Sequence, residues 1–170
     1  MLNMRSILAM FHRILTGMSH SNEKDGFELS KTRRTLPMAL LRAREAVMER
    51  FRPLLQAHGV TEQQWRVLRV LKEAEETDAS DLAEAASILA PSLSRILKTL
   101  EARAFIEARK DPTDGRRALI RLTPEGHAFI RQIAPESAAI YAELEARVGR
   151  VRIDSLLDDL EALMTALEQI

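Results

Sequence analysis

Pro91-Ser92-Leu93-Ser94-Arg95-Ile96-Leu97-Lys98-Thr99-Leu100-Glu101-Ala102-Arg103 reads as one helix, and its setting decides the fold. Proline suits the first helical turn, where its missing N–H has no partner to lose. Leu93, Ile96, Leu97 and Leu100 recur at a spacing that buries one face, leaving Ser92, Ser94, Arg95, Lys98 and Thr99 outside it. Upstream, Asp78-Ala79-Ser80-Asp81 is a capping signature that opens a short helix through Leu82, Ala83 and Ala86, and Ser87 to Ala90 is a brief break. Short helices joined this way form a helix-turn-helix. Downstream, the β-prone runs Phe105 to Lys110 and Arg117 to Leu122 flank Asp111-Pro112-Thr113-Asp114-Gly115-Arg116. Pro, Asp and Gly are turn formers, so this is a hairpin with a long, charged tip.

Outward from this centre, the chain is helical. Pro37 to Ala57 carries the apolar stripe Leu40, Leu41, Val47, Met48, Phe51, Leu54 and Leu55, with Gly59 as its stop and Pro53 near its last turn. Thr61-Glu62-Gln63-Gln64 is a capping box before Trp65, Leu68 and Leu71, predicting a helix to about Lys72. Thr123-Pro124 opens a helix to about Arg147, which Pro135 is expected to bend or interrupt. A last helix places Ile153, Leu156, Leu157, Leu160, Leu163, Met164, Leu167 and Ile170 on one stripe.

Composition bounds the function. The chain has 170 residues, 46% of them hydrophobic, which supports one globular domain. It has no cysteine, which excludes disulfides, Cys-ligated zinc and a thiol nucleophile. Net charge is zero, but Ala90 to Leu122 holds eight basic and four acidic residues, and Glu136 to Ile170 three basic and eight acidic. The middle of the chain therefore suits phosphates and the C-terminal end does not. Met1 to Leu15 is too short and too charged for a membrane span and lacks a clean signal-peptide core, so a cytoplasmic protein is expected. His12, His20, His58 and His127 share no ligand spacing, no P-loop or Gly-x-Gly-x-x-Gly is present, and nothing orders a catalytic triad. Neither an enzyme nor a cofactor is expected.

A mainly α fold with a small β-hairpin wing follows: a winged helix-turn-helix with N- and C-terminal helices. The helix from Pro91 would lie in the major groove of DNA, where arginine bonds guanine bidentately and serine or threonine bonds bases or phosphates. Arg116 and Arg117 at the wing suit a narrow minor groove, with Asp114 close enough to orient Arg116.

These residues resemble the MarR family of bacterial regulators. The resemblance is carried by Thr61-Glu62-Gln63-Gln64-Trp65-Arg66-Val67-Leu68, Asp81-Leu82-Ala83, the Pro91 helix, Leu100-Glu101-Ala102-Arg103, the wing Asp114-Gly115-Arg116-Arg117 and Leu122-Thr123-Pro124-Glu125-Gly126. Arg34 to Met48 is similar to family members that govern aromatic-acid catabolism. Ala90 stands where the family often has a small polar cap, and Ala104 where it often has glycine. The resemblance implies that the N- and C-terminal helices are dimerisation helices, in a homodimer on a pseudo-palindromic double-stranded DNA site, and a repressor released by a small aromatic carboxylate. Its organisation would be an N-terminal extension at 1–33, a dimerisation region at 34–58 and 124–170, and a DNA-binding lobe at 59–123. The stripe Ile153, Leu156, Leu157, Leu160, Leu163 and Leu167 asks independently for a partner surface, joined by Leu36 and Leu40.

Arg44 falls on the first helix's apolar stripe, so its guanidinium needs a bound aromatic acid, a carboxylate of the second subunit, or a path to water. Arg42, Arg44, His58 and Trp65 are the candidate effector residues. Two other readings stand beside this one: a DNA-binding regulator with no small-molecule effector, and a dimeric helical protein-interaction module.

Overall fold

The computed structural model describes residues 35–112 and 117–168. The extension at 1–33 and the wing-tip residues Asp114 and Arg116 lie outside the described residues. The order is α1 (Leu36–Ala57), α2 (Glu62–Ala74), β1 (Glu76–Asp78), α3 (Ala79–Ala85), α4 (Ala90–Ala102), β2 (Ile106–Lys110), β3 (Ala118–Leu122), α5 (Pro124–Val148) and α6 (Arg150–Glu168). Residues 45–170 form one compact unit, distinct from residues 1–44.

Local chemistry explains most boundaries. Gly59, at φ 64°, ends α1: its N–H donates to Gln56 O, and Val60 N–H donates back to Leu55 O at 3.0 Å. That is a Schellman stop, with Val60 packed beside Leu55 in the core. Thr61 caps α2 in a reciprocal box with Gln64, at 2.9 and 3.2 Å. Thr123 Oγ1 accepts from Gly126 N–H at 3.0 Å and starts α5. α5 runs uninterrupted through Pro135. Pro135 and Arg131 are both exposed, so the Arg131 carbonyl that loses its helical partner lies on the solvent side of α5. α4 starts at Ala90, one residue before the expected Pro91, so its N-cap is Leu89 and not Ala90, and it has no side-chain cap.

The end of α4 is a second Schellman stop. Ala104 N–H donates to Glu101 O and Phe105 N–H to Leu100 O, and Ala104 takes φ 55°. A side chain in that left-handed region is strained and glycine is not. Ala104→Gly is therefore expected to stabilise the protein by about 1 kcal/mol, read as a melting temperature about 3 °C higher.

The sheet has three strands in the order β1-β3-β2, all antiparallel. The hairpin expected from sequence is β2 and β3, registered from Ile106↔Leu122 to Lys110↔Ala118. β1 was not expected; Glu76 to Asp78 is a strand only because β3 pairs with it. The outer face carries an ionic ladder. Arg109 forks onto Glu76 with two bonds of 2.6 Å, and Arg121 pairs with Glu107 at 2.6 Å. Hydrogen bonding from Arg109 holds the Glu76 carboxyl below the usual carboxylate range.

One buried cluster gathers Val67, Leu68 and Leu71 of α2, Leu82 of α3, Leu93, Ile96 and Leu100 of α4, Ile106, Ile120 and Leu122 of the sheet, and Ile130 of α5. A second holds Phe51, Leu55 and Val60 against Ile140 and Leu144. Trp65 and Phe129 pack on both. α6 buries none of its residues: Ile153, Leu160 and Leu163 are half-buried, while Leu156, Leu157, Met164 and Leu167 are 52–59% exposed. Leu36, Leu40 and Leu41 of α1 are also exposed, and the stripe of α1 is buried only from Phe51 onward.

Candidate nucleic-acid interface and effector cavity

α4 buries Leu93, Ile96 and Leu100 and turns the opposite face to solvent. Ser94, Arg95, Lys98 and Thr99 are exposed there and Ser92 is half-buried. Ser94 Oγ and Thr99 Oγ1 donate back to the carbonyls of Ala90 and Arg95, at 3.2 and 3.1 Å. Arg95 and Lys98 make no ion pair or side-chain hydrogen bond with any described residue. These two cations, about one helical turn apart, are uncommitted to the fold, whereas other arginines of the lobe are spent on it.

Two of those spent arginines position the helix. Arg66 Nη1 donates to the carbonyls of Ala86 and Ser87, at 2.8 and 3.2 Å, and so holds the turn between α3 and α4. Arg103, at the end of α4, donates to Gly59 O at 2.6 Å and lies 4.5 Å over the Phe105 ring. Neither role has a sequence signal, because the acceptors are backbone carbonyls of other elements. Arg117, expected at the DNA, donates to Asp78. Among the described residues no group of three or more His, Cys, Asp or Glu is placed to hold a metal ion.

The effector candidates separate. Arg42 and Arg44 are exposed on α1 of the single chain. The stripe around Arg44, from Leu36 to Val47, is itself uncovered at 36–52% exposure. His58 pairs with Glu136 at 3.0 Å and meets the Phe129 ring edge-on. Trp65 lines a cavity of about 150 Å³ with Arg69, Ile130, Ala134, Ser137, Ala138 and Tyr141. His58 is not in that lining. Arg69, Ser137 and Tyr141 were missed, although each pair, Trp65 with Arg69 and Ser137 with Tyr141, is spaced to share a helix face. The cavity suits a single aromatic ring: voids near this volume accept benzene. Trp65 and Tyr141 supply ring faces, Ser137 a buried hydroxyl, and Arg69, now bonded to Glu73 at 3.1 Å, a fork for a carboxylate.

A wider cleft of about 680 Å³ lies between the end of α2, the outer sheet and the start of α5. Lys72, Arg121, His127 and Arg131 share it with Glu75 and Glu107, and this mixed charge selects no ligand sign. Among the described residues no helix is long and apolar enough to cross a membrane.

Residues 58–117 match the sequence model of the MarR family. The homoprotocatechuate degradative operon repressor of Escherichia coli is 39% identical over 127 residues, covering 75% of this chain and 86% of that protein. The crystal structure of NadR in complex with 4-hydroxyphenylacetate is 37% identical with a TM-score of 0.71, covering 79% of this chain and 95% of that one. CouR, a transcriptional repressor bound to a 23-mer DNA duplex, is 27% identical with a TM-score of 0.71, covering 81% and 99%.

Proposed function

This chain belongs to the MarR family of transcriptional regulators, and from that premise we propose a homodimeric DNA-binding repressor of an aromatic catabolic operon, released by a small aromatic carboxylate. The observation that carries the DNA-binding part is the uncommitted pair Arg95 and Lys98 on the outer face of α4, within a helix-turn-helix flanked by a wing. Ser92, Ser94 and Thr99 sit beside them, and Asp114 and Arg116 at the wing tip are assigned to the adjacent minor groove. The lobe is residues 59–123. The dimerisation region is 34–58 with 124–170; Leu36 and Leu40 on α1, and Leu156, Leu157 and Leu167 on α6, are exposed apolar residues that a second copy would cover. Such a regulator acts in the cytoplasm.

The effector site is the cavity of Trp65, Arg69, Ser137 and Tyr141. Arg42 and Arg44 remain separate candidate cations, exposed on α1. A ring between Trp65 and Tyr141 with its carboxylate on Arg69 would tie α2 of the lobe to α5 of the dimerisation region. A ligand that binds one spacing of these helices better than another shifts the population away from the DNA-competent state.

Fluorescence anisotropy with DNA upstream of the chain's own gene, across a salt series, tests the whole reading. Tight, salt-sensitive binding released by 4-hydroxyphenylacetate or homoprotocatechuate is the expected result. Arg69→Ala should leave DNA affinity within about twofold and raise the ligand concentration for half-release by about tenfold, the loss of a charge-assisted bond. DNA binding that ignores both ligands would leave a regulator without this effector class. No preference over random DNA would count against the repressor.

A further inference from the structure

The wing and the helix-turn-helix share one carboxylate. Asp78 closes β1 and precedes α3, and it is only 8% exposed. Its Oδ1 accepts from the backbone N–H of Ser80 and of Asp81, at 2.8 and 3.0 Å, and so caps α3. Its Oδ2 accepts from Nη2 of Arg117. Arg117 stands where the hairpin ladder ends: its carbonyl accepts from Asp111 N–H at 3.0 Å, the last rung before residues 113–116. One oxygen therefore serves the first helix of the helix-turn-helix and the other serves the base of the wing.

We propose that Asp78 and Arg117 are positioning residues for DNA binding, which fix the base of the wing relative to α3 and α4 so that both reach their grooves together. The proposal rests on the DNA-binding reading above. It takes Arg117 out of the direct DNA contacts and gives it a protein partner 39 residues away. A largely buried carboxylate needs several donors, and this one has three, two from backbone and one from a guanidinium. The Arg109–Glu76 fork joins β2 to β1 across β3, but both its members lie on the sheet and neither reaches α3. The Asp78–Arg117 pair thus adds a side-chain link between the wing's end of the ladder and the start of α3, beside the backbone pairing of Asp78 with Leu119.

Asp78→Asn, Arg117→Ala and the double variant form the test, with operator affinity followed across a salt series. Asparagine caps helices as well as aspartate does, so Asp78→Asn keeps α3 while weakening the ion pair. All proteins are compared at a temperature where they share the wild-type far-UV signal. Each single variant is expected to bind operator about tenfold more weakly, and the double variant no more weakly than either. The salt slope should stay at the wild-type value, because no phosphate contact is lost. Three results would overturn the proposal: wild-type affinity in Asp78→Asn, additive losses in the double variant, or a slope about one unit smaller in Arg117→Ala. The last would make Arg117 a phosphate contact. A wild-type protein with no salt-dependent DNA binding would instead remove the DNA-binding reading itself, and the positioning role with it.

Discussion

Gly126→Ala lowers stability by about 3 kcal/mol and the melting temperature by roughly 10 °C in thermal unfolding. Gly126 is in the first turn of α5, buried, with its N–H on Thr123 Oγ1. A Cβ there would stand 2.0 Å from the carbonyl oxygen of Phe105 and 3.0 Å from its carbonyl carbon. The obstruction is backbone, so no side chain can swing aside, and relief requires moving α5 away from the end of α4. That movement breaks a tight junction. Phe105 O also accepts from Thr123 N–H at 3.1 Å, and Thr123 Oγ1 donates to Ala104 O at 2.6 Å. The strain arises from contact and not from an unusual dihedral, so any larger residue should do worse. A melting temperature within about 2 °C of wild type would show that α5 slides without cost.

Arg95→Ala is expected to weaken operator binding by about 30-fold, near 2 kcal/mol, with the fold intact. Arg95 is exposed at the middle of α4 and has no protein partner among the described residues, so its loss removes nothing internal. If it reads a guanine, the loss is large on the operator and small on DNA altered at that one base pair. A uniform loss across sequences, with a smaller salt slope, would make it a phosphate contact. An unchanged affinity would remove α4 as the reading helix. Melting temperature is the control, and it should not move.

What could be read from sequence followed the range of the interaction. Thr61, Asp78 and Thr123 were legible as caps because each bonds backbone two or three residues away. The buried face of α4 and the β2–β3 hairpin followed from periodicity and turn residues. β1 was not legible, since Glu76-Thr77-Asp78 has no alternation of its own and owes its conformation to β3. The pairing of Arg117 with Asp78 was not legible, because Asp78 is remote in sequence. The surroundings of Arg44 are not legible in periodicity, because an apolar stripe does not say what covers it, and in the single chain this one is uncovered. Of the cavity, only Trp65 stood out; Arg69 and Tyr141 look like ordinary surface residues until α2 and α5 are brought together. The MarR family supplied the order of the motifs, and side-chain pairing across elements had to come from the structure.

The junction at Gly126 has a mechanical consequence. α5 is 25 residues long, about 37 Å, and it is clamped at one end against the last turn of α4. A pivot of about 5° at that clamp sweeps the far end of α5 through about 3 Å, close to the rise of one base pair. The same pivot moves the far end of α4, with its 13 residues, by only about 1.7 Å. If α4 and α5 pivoted together there, the clamp would act as a reduction gear, turning a coarse displacement among the distal helices into a fine one at α4. A shift of that size is still enough to pull a side chain out of hydrogen-bonding reach of a base edge.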